Sequence, residues 1–137
     1  MNIWVAASDG NIDAVEQFLA VGVDVNAKDE YGYTPLQAAV SYGHVELLRF
    51  LLDNGASVMM PDNDMETPLH HCETVECAKI LLESGAELNA RNAEGRTPLD
   101  SAIEEEHDEL VAYYESLGAE KTTLIIEGNE EDEEMEE

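Results

Sequence analysis

The tripeptide Thr-Pro-Leu recurs along the chain at a nearly constant spacing, and this repetition restricts the fold more than any other feature. It occurs at 34–36, 67–69 and 97–99, in steps of 33 and 30 residues. Glycine followed by a small or apolar residue recurs at Gly22, Gly55, Gly85 and Gly118, in steps of 33, 30 and 33. Two markers in one register indicate a tandem array, in which each unit stacks on its neighbours to bury its apolar side.

Residues 29–61 show how one unit is expected to fold. Thr34 suits the N-cap of a helix and Pro35 its first position, while Gln37 completes a capping box with Thr34. Gly43 ends this helix, because glycine adopts the left-handed conformation without a steric penalty. Apolar residues then recur at helical spacing over 45–52 and predict a second helix.

This pattern resembles the ankyrin repeat, most closely from Gly32 to Ala56. Residues 1–10 are similar to the start of certain small, poorly characterised fungal ankyrin proteins. The resemblance implies an all-α ankyrin repeat solenoid of about four helix-turn-helix repeats joined by β-hairpin loops. The repeats are predicted at 1–28, 29–61, 62–91 and 92–121. With a C-terminal cap at 122–126, the ankyrin repeat domain spans 1–126, and the acidic segment 127–137 is predicted to be a disordered tail.

The third repeat departs from this pattern. Thr67 and Gly85 are 18 residues apart, whereas the equivalent residues of repeats 2 and 4 are 21 apart. The deletion is expected to remove about one helical turn near the junction of the two helices. Met65 stands where the other loops have glycine, which predicts a strained or altered turn. At the other end of the array, Tyr113 and Tyr114 are expected to form an end cap whose hydroxyls reach water.

The charge balance excludes several classes of partner. The chain has 32 acidic and 6 basic residues, a net charge of −26. Phosphate binding needs a basic surface, so nucleic acid is not an expected partner, and docking on anionic membranes is disfavoured as well. The charge favours a monomer. The first basic residue is Lys28, so no signal-peptide n-region is expected, and two cysteines do not make a disulfide framework. We therefore expect a cytoplasmic or nuclear protein.

Histidines and cysteines near the start of repeat 3 are residue types that occur in metal and catalytic sites. His70, His71, Cys72 and Cys77 contain zinc-ligand types. However, His70 lies where the ankyrin histidine ties the turn together, and Cys77 falls in an apolar helical row. Cys72 lies among glutamates, which disfavour a reactive thiolate. No phosphate-binding or nucleophile motif is present. The sequence thus predicts no metal, no cofactor and no enzyme activity.

The family resemblance implies that partner contacts come from the loop tips and from the groove-facing positions of each first helix. Trp4 has two interpretations, a lid on the exposed end of the stack or an aromatic anchor for a ligand. Tyr31, Tyr33 and Tyr42 are predicted to form one aromatic cluster, although Tyr33 could simply pack over its own loop. By register, the predicted contact residues are Trp4, Ser8, Asp9, Tyr31, Tyr33, Ala38, Ser41, Tyr42, Asp64, Glu66, His71, Glu94, Arg96, Ser101, Glu104 and Glu105.

These features predict a non-enzymatic module that binds the basic surface of another protein through carboxylates and cation–π contacts. An escort for a ribosomal or nuclear protein would fit this description. The acidic tail could instead serve only solubility. Two alternatives stay open: a stoichiometric inhibitor of an enzyme such as a kinase, and a subunit of a larger assembly.

Overall fold

The computed structural model describes residues 2–121, which form seven α-helices and one short 3₁₀ helix. The helices are α1 (Ile3–Ser8), α2 (Ile12–Ala20), α3 (Pro35–Ser41), α4 (Val45–Asp53), the 3₁₀ helix (Pro68–His71), α5 (Val75–Glu83), α6 (Pro98–Glu104) and α7 (Asp108–Ser116). Within residues 2–121, no helix has the length and apolar character needed to cross a bilayer. The predicted cap at 122–126 and the predicted tail at 127–137 lie outside the described residues.

The helices pair into four repeats that stack in two layers, which confirms the predicted solenoid. In the inner layer α1 packs on α3, α3 on the 3₁₀ helix, and the 3₁₀ helix on α6. In the outer layer α4 packs on α5, and α5 on α7. Small buried residues occupy one equivalent position of the inner layer in every repeat, so that neighbouring backbones come close: Ala6, Ala39 and Ala102 within the helices, and Cys72 directly after the 3₁₀ helix.

The predicted capping box starts the inner helix of repeat 2. Thr34 Oγ1 accepts a hydrogen bond from the Gln37 N–H at 3.3 Å, and Gln37 Oε1 accepts one from the Thr34 N–H at 2.9 Å. The Gln37 amide also donates to the carbonyls of Met60 and Glu66 at 3.3 and 3.1 Å. A single side chain therefore caps its own helix and joins repeat 2 to repeat 3.

The loops between the repeats are linked to one another by backbone hydrogen bonds. In the first loop the Asp29 N–H donates to the Tyr33 carbonyl at 3.0 Å and closes the turn. The Asn63 N–H donates to the Tyr31 carbonyl at 3.0 Å, and the Ala93 N–H to the Asp64 carbonyl at 2.8 Å. The loop tips therefore line up along one side of the stack, although no strand occurs between residues 2 and 121.

Repeat 3 is irregular where its deletion predicts. Its first helix is a four-residue 3₁₀ helix, whereas α3 and α6 have seven residues each. Met65 adopts a positive φ of 63°, so the loop keeps the glycine-type turn with a strained residue. Glu106 likewise has a φ of 60° at the position equivalent to Gly43. Glutamate carries no sequence signal for a left-handed turn, so the positive φ of Glu106 is not predictable from its residue type.

The expectation for Tyr114 is wrong. Its side chain is fully buried, and its hydroxyl donates to the Leu69 carbonyl at 3.4 Å rather than to water. Leu51 and Leu81 occupy the equivalent positions of repeats 2 and 3. The larger ring of Tyr114 reaches the shortened helix and fills space beside it. Burial also raises the pKa of this hydroxyl.

Candidate functional site

We use the term inner face for the surface formed by the first helix of each repeat together with the loop tips. Two adjoining cavities open on it. The tyrosine cavity, of about 290 Å³, is lined by Trp4, Ser8, Asp29, Tyr33, Gln37, Ala38, Ser41, Tyr42 and His71. The glutamate cavity, of about 250 Å³, is lined by Ser41, Glu66, His70, His71, Cys72, Glu73, Ser101, Glu104, Glu105 and His107. Ser41 and His71 stand between the two cavities and line both.

The structure brings most of the predicted contact residues together around these cavities. A third, shallower hollow of about 720 Å³ lies at the N-terminal end of the inner face and is lined in part by Trp4, Ser8 and Tyr31. Four predicted residues line none of the three openings: Asp9, Asp64, Glu94 and Arg96. Whether any of these residues contacts a partner stays a prediction.

Trp4 combines features of both of its interpretations. Its indole Nε1 donates to the Ala27 carbonyl at 2.9 Å, and the half-buried ring packs against the hydrophobic core. Trp4 thus occupies the position of Gln37 and, like Gln37, reaches the following loop. The rest of the ring remains open to solvent and lines the tyrosine cavity and the N-terminal hollow. It therefore fixes one end of the inner face and presents an aromatic surface there.

The three tyrosines do not form the single cluster that was predicted. Tyr31 and Tyr33 pack together, with ring centroids 6.1 Å apart. Tyr42 instead stacks on His44 at 6.4 Å, because α3 ends beside the start of α4. The Tyr33 and His71 rings lie almost perpendicular to each other, with centroids 5.6 Å apart. Burial, and then the nearby Asp62 carboxylate, raises the pKa of Tyr33, so its hydroxyl stays protonated in the cavity wall.

His71 is a centre of polar contacts on the inner face. Its Nε2 lies 3.1 Å from Asp62 Oδ2 and 3.5 Å from Glu66 Oε1. His71 and Glu66 are among the residues predicted from the sequence, but Asp62 is not, because an aspartate at that position is typical of a loop turn. The signal available in the sequence was the close spacing of three carboxylates, Asp62, Asp64 and Glu66, just before His71.

Carboxylates dominate the glutamate cavity. Glu104 forms an ion pair with Arg96 at 3.5 Å, and Arg96 also lies 3.6 Å from Glu94. Glu73 and Glu105 have no cationic partner within residues 2–121. Arg96 is half-buried but both of its glutamate partners are exposed, and ion pairs this open to solvent contribute only about 0–1 kcal/mol. An incoming cation could therefore displace them at little cost.

The zinc interpretation of His70, His71, Cys72 and Cys77 does not fit the geometry. His70 Nδ1 accepts the Thr67 N–H at 3.0 Å, and its Nε2 lies 2.9 Å from the Arg96 carbonyl. Both ring nitrogens are therefore engaged, and burial lowers the pKa of His70, which favours the neutral ring. Both cysteines are buried in the core, and burial raises the pKa of the Cys72 thiol. The four residues do not form a tetrahedral ligand set.

Comparison with known proteins agrees with the repeat architecture. The family model described as ankyrin repeats (3 copies) matches residues 3–92 and 62–123. An ankyrin repeat-containing protein of Schizosaccharomyces pombe is 47% identical over 95 residues, which cover 69% of this chain and 46% of that protein. This similarity agrees with the predicted likeness to fungal ankyrin proteins.

Two animal proteins contain a similar region within much longer chains. A tyrosine-protein kinase of Hydra vulgaris is 31% identical over 120 residues, covering 83% of this chain and 16% of the kinase. An ankyrin repeat, SAM and basic leucine zipper domain-containing protein of Dasypus novemcinctus is 33% identical over 123 residues, covering 84% of this chain and 26% of that protein. The matched region is thus less than half of each of these three relatives.

Proposed function

This chain belongs to the ankyrin repeat family, and on that premise we propose that it is a non-enzymatic module that holds a basic segment of another protein against its inner face. Ankyrin repeats generally mediate protein–protein interaction. The finer part of the proposal concerns the chemistry of the partner. Fold alone does not identify a partner, whereas the residues of the inner face determine which partner chemistry it can hold.

The observation that carries the proposal is the placement of carboxylates beside aromatic rings. The glutamate cavity offers Glu73 and Glu105 without a cationic partner in the described chain, and it adjoins the wall of Tyr33 and Tyr42. Carboxylates can pair with the charged end of a lysine or arginine side chain. Aromatic rings add cation–π contacts of about 0.5–2 kcal/mol each. The surface therefore matches a basic, extended segment.

The charge of the whole repeat domain supports the same partner chemistry. Residues 1–126 contain 24 acidic and 6 basic residues, so attraction of a basic protein does not depend on segment 127–137 alone. Such a field raises the association rate and makes binding depend on salt. An escort for a ribosomal or nuclear protein, acting in the cytoplasm or nucleus as a monomer, is the role we propose within this class.

Affinity capture with matched variants tests the proposal. Glu104→Gln with Glu105→Gln removes two charges from the glutamate cavity, and Glu83→Gln with Glu87→Gln removes two exposed charges that line neither cavity. We expect basic proteins to be captured by the wild type and the control pair, and to be reduced with the cavity pair. Capture of acidic proteins alone, or equal capture by all three, would contradict the proposal.

Two further comparisons separate the alternatives. Tyr31→Ala with Tyr33→Ala should lose the same proteins as the cavity pair if the aromatic rim takes part. Removal of residues 127–137 should slow association with a basic partner. If the captured protein is instead an enzyme whose binding and inhibition are insensitive to both salt and this truncation, the inhibitor interpretation is favoured, because shape complementarity would then dominate.

A further inference from the structure

We propose that Asp62, Glu66 and His71 form a binding site for a zinc-class divalent metal ion on the inner face. The donor atoms of the three side chains, two carboxylate oxygens and one imidazole nitrogen, all lie within 4.8 Å of one another. Mixed imidazole and carboxylate ligands suit zinc and neighbouring transition metals, whereas magnesium and calcium prefer oxygen alone. This site shares only His71 with the zinc interpretation that the geometry excludes.

The separations of His71 Nε2 from the two carboxylate oxygens agree with coordination to one ion. His71 Nε2 lies 3.1 Å from Asp62 Oδ2 and 3.5 Å from Glu66 Oε1. Bonds of about 2.0–2.2 Å in a tetrahedral arrangement place neighbouring ligand atoms about 3.3–3.6 Å apart. Two of the three separations thus already lie close to this range, and the Asp62 and Glu66 oxygens, which are within 4.8 Å of one another, would bind the same ion after small side-chain adjustments. The fourth position would be open towards the cavities that His71 lines.

The carboxylates are held in place through the oxygens that face away from His71. Asp62 Oδ1 accepts the N–H groups of Asp64 and Glu66 at 2.8 and 2.9 Å. Glu66 Oε2 accepts the Asn92 side-chain N–H at 3.0 Å. Such outer contacts orient metal ligands and contribute to affinity. The Asp62 side chain is only 1% exposed, and a buried carboxylate beside a second one favours a cation between them.

The repeats themselves provide an internal comparison. The loop and inner helix carry Asp29, Tyr33 and Ala38 at the equivalent positions of repeat 2. Repeat 4 carries Asn92, Arg96 and Ser101 at these positions. The fold is maintained in both repeats without the ligand set, so the three donor side chains of repeat 3 are not required by the architecture. They occur together in the repeat whose first helix is shortened, where an ion would join the loop to that helix.

Zinc titration of the full chain, stripped with a chelator, tests the site. We expect saturable binding of one zinc ion by calorimetry, and a visible absorption spectrum of tetrahedral type when Co²⁺ replaces Zn²⁺. Asp62→Asn and His71→Ala should each abolish this binding. Both substitutions should fold, because Asn92 and Ala38 occupy the equivalent positions of other repeats, and circular dichroism checks this.

Two further variants sharpen the result. Asp64→Asn removes a charge from the same loop at an exposed side chain outside the ligand set, and it should leave zinc affinity unchanged. Asn92→Ser keeps a turn-forming side-chain oxygen and adds no charge, but it removes the amide donor to Glu66, and it should weaken zinc binding about 10–100-fold. Absence of saturable zinc binding, or equal affinity in the wild type and both ligand variants, would overturn the proposal. The second of these outcomes would assign the zinc to other acidic residues.

Discussion

Replacing Tyr114 with leucine is expected to destabilise the protein, although leucine is the native residue at the equivalent positions 51 and 81. Tyr114 is fully buried, and its ring extends to the carbonyl of Leu69 at the shortened helix of repeat 3. Leucine would be compatible with α7, but it would leave the space beside the 3₁₀ helix of repeat 3 empty. The prediction therefore tests whether the deletion in repeat 3 is compensated by a larger residue in repeat 4.

The size of the effect follows from two contributions. Truncation of a buried aromatic residue to alanine lowers the free energy of unfolding by about 3–5 kcal/mol. Because leucine retains part of the side-chain volume, we expect Tyr114→Leu to lower it by about 2 kcal/mol. The hydroxyl contact is long, at 3.4 Å, so Tyr114→Phe should cost only about 0.5 kcal/mol. Tyr113→Leu, at a half-buried neighbour, should cost less than about 1 kcal/mol.

Urea unfolding followed by far-ultraviolet circular dichroism measures these differences. Hydrogen exchange should place the increased opening of Tyr114→Leu in repeats 3 and 4, because repeat arrays transmit stability mainly between neighbours. If Tyr114→Leu is as stable as the wild type, the ring fills no necessary space. If Tyr114→Phe costs as much as Tyr114→Leu, the hydroxyl rather than the ring volume is responsible. Either result would refute the packing argument.

Three other predictions concern strain and burial. Gly43→Ala should lower the free energy of unfolding by about 1–2 kcal/mol, because alanine is strained at the positive φ of this position. Gly10→Ala should lower it further, because its Cβ would also lie 2.7 Å from the His44 ring. Urea unfolding of the two variants checks this order. Met65→Gly should stabilise the protein by about 0.5–1 kcal/mol, since relief of strain exceeds the added chain entropy, and an unfolding midpoint below that of the wild type would contradict this. The two cysteines should resist alkylation in the native protein and react in urea, because both are buried and burial raises their thiol pKa values; rapid modification of the native chain would count against this packing.

Much of the fold could be predicted from the sequence because its determinants are local. The Thr34 capping box and the left-handed Gly43 each depend on residues within one helix and its ends, and the structure shows both. The repeat period then fixes which helices stack. The location of the irregular repeat was also predictable, since the 18-residue interval leaves no room for a seven-residue first helix.

The parts that were missed depend on contacts between elements. Asp62 reads as an ordinary turn residue, and only the folded loop shows that its second oxygen faces His71. Tyr114 reads as an end cap, because the space that it fills is created by a deletion in the preceding repeat. Register alone places Tyr42 near Tyr33, but the direction of its side chain at the end of α3 makes it stack on His44 instead.

An NMR titration with a short arginine-rich peptide tests the central claim, that the inner face holds a basic segment, most directly. We predict saturable shift changes at amides around the two cavities, including Ser41, Ser101 and Glu104, that weaken with added salt and with Glu104→Gln and Glu105→Gln. The outer helices should show little change. Shift changes spread over the outer helices, or confined to segment 127–137, would contradict the account.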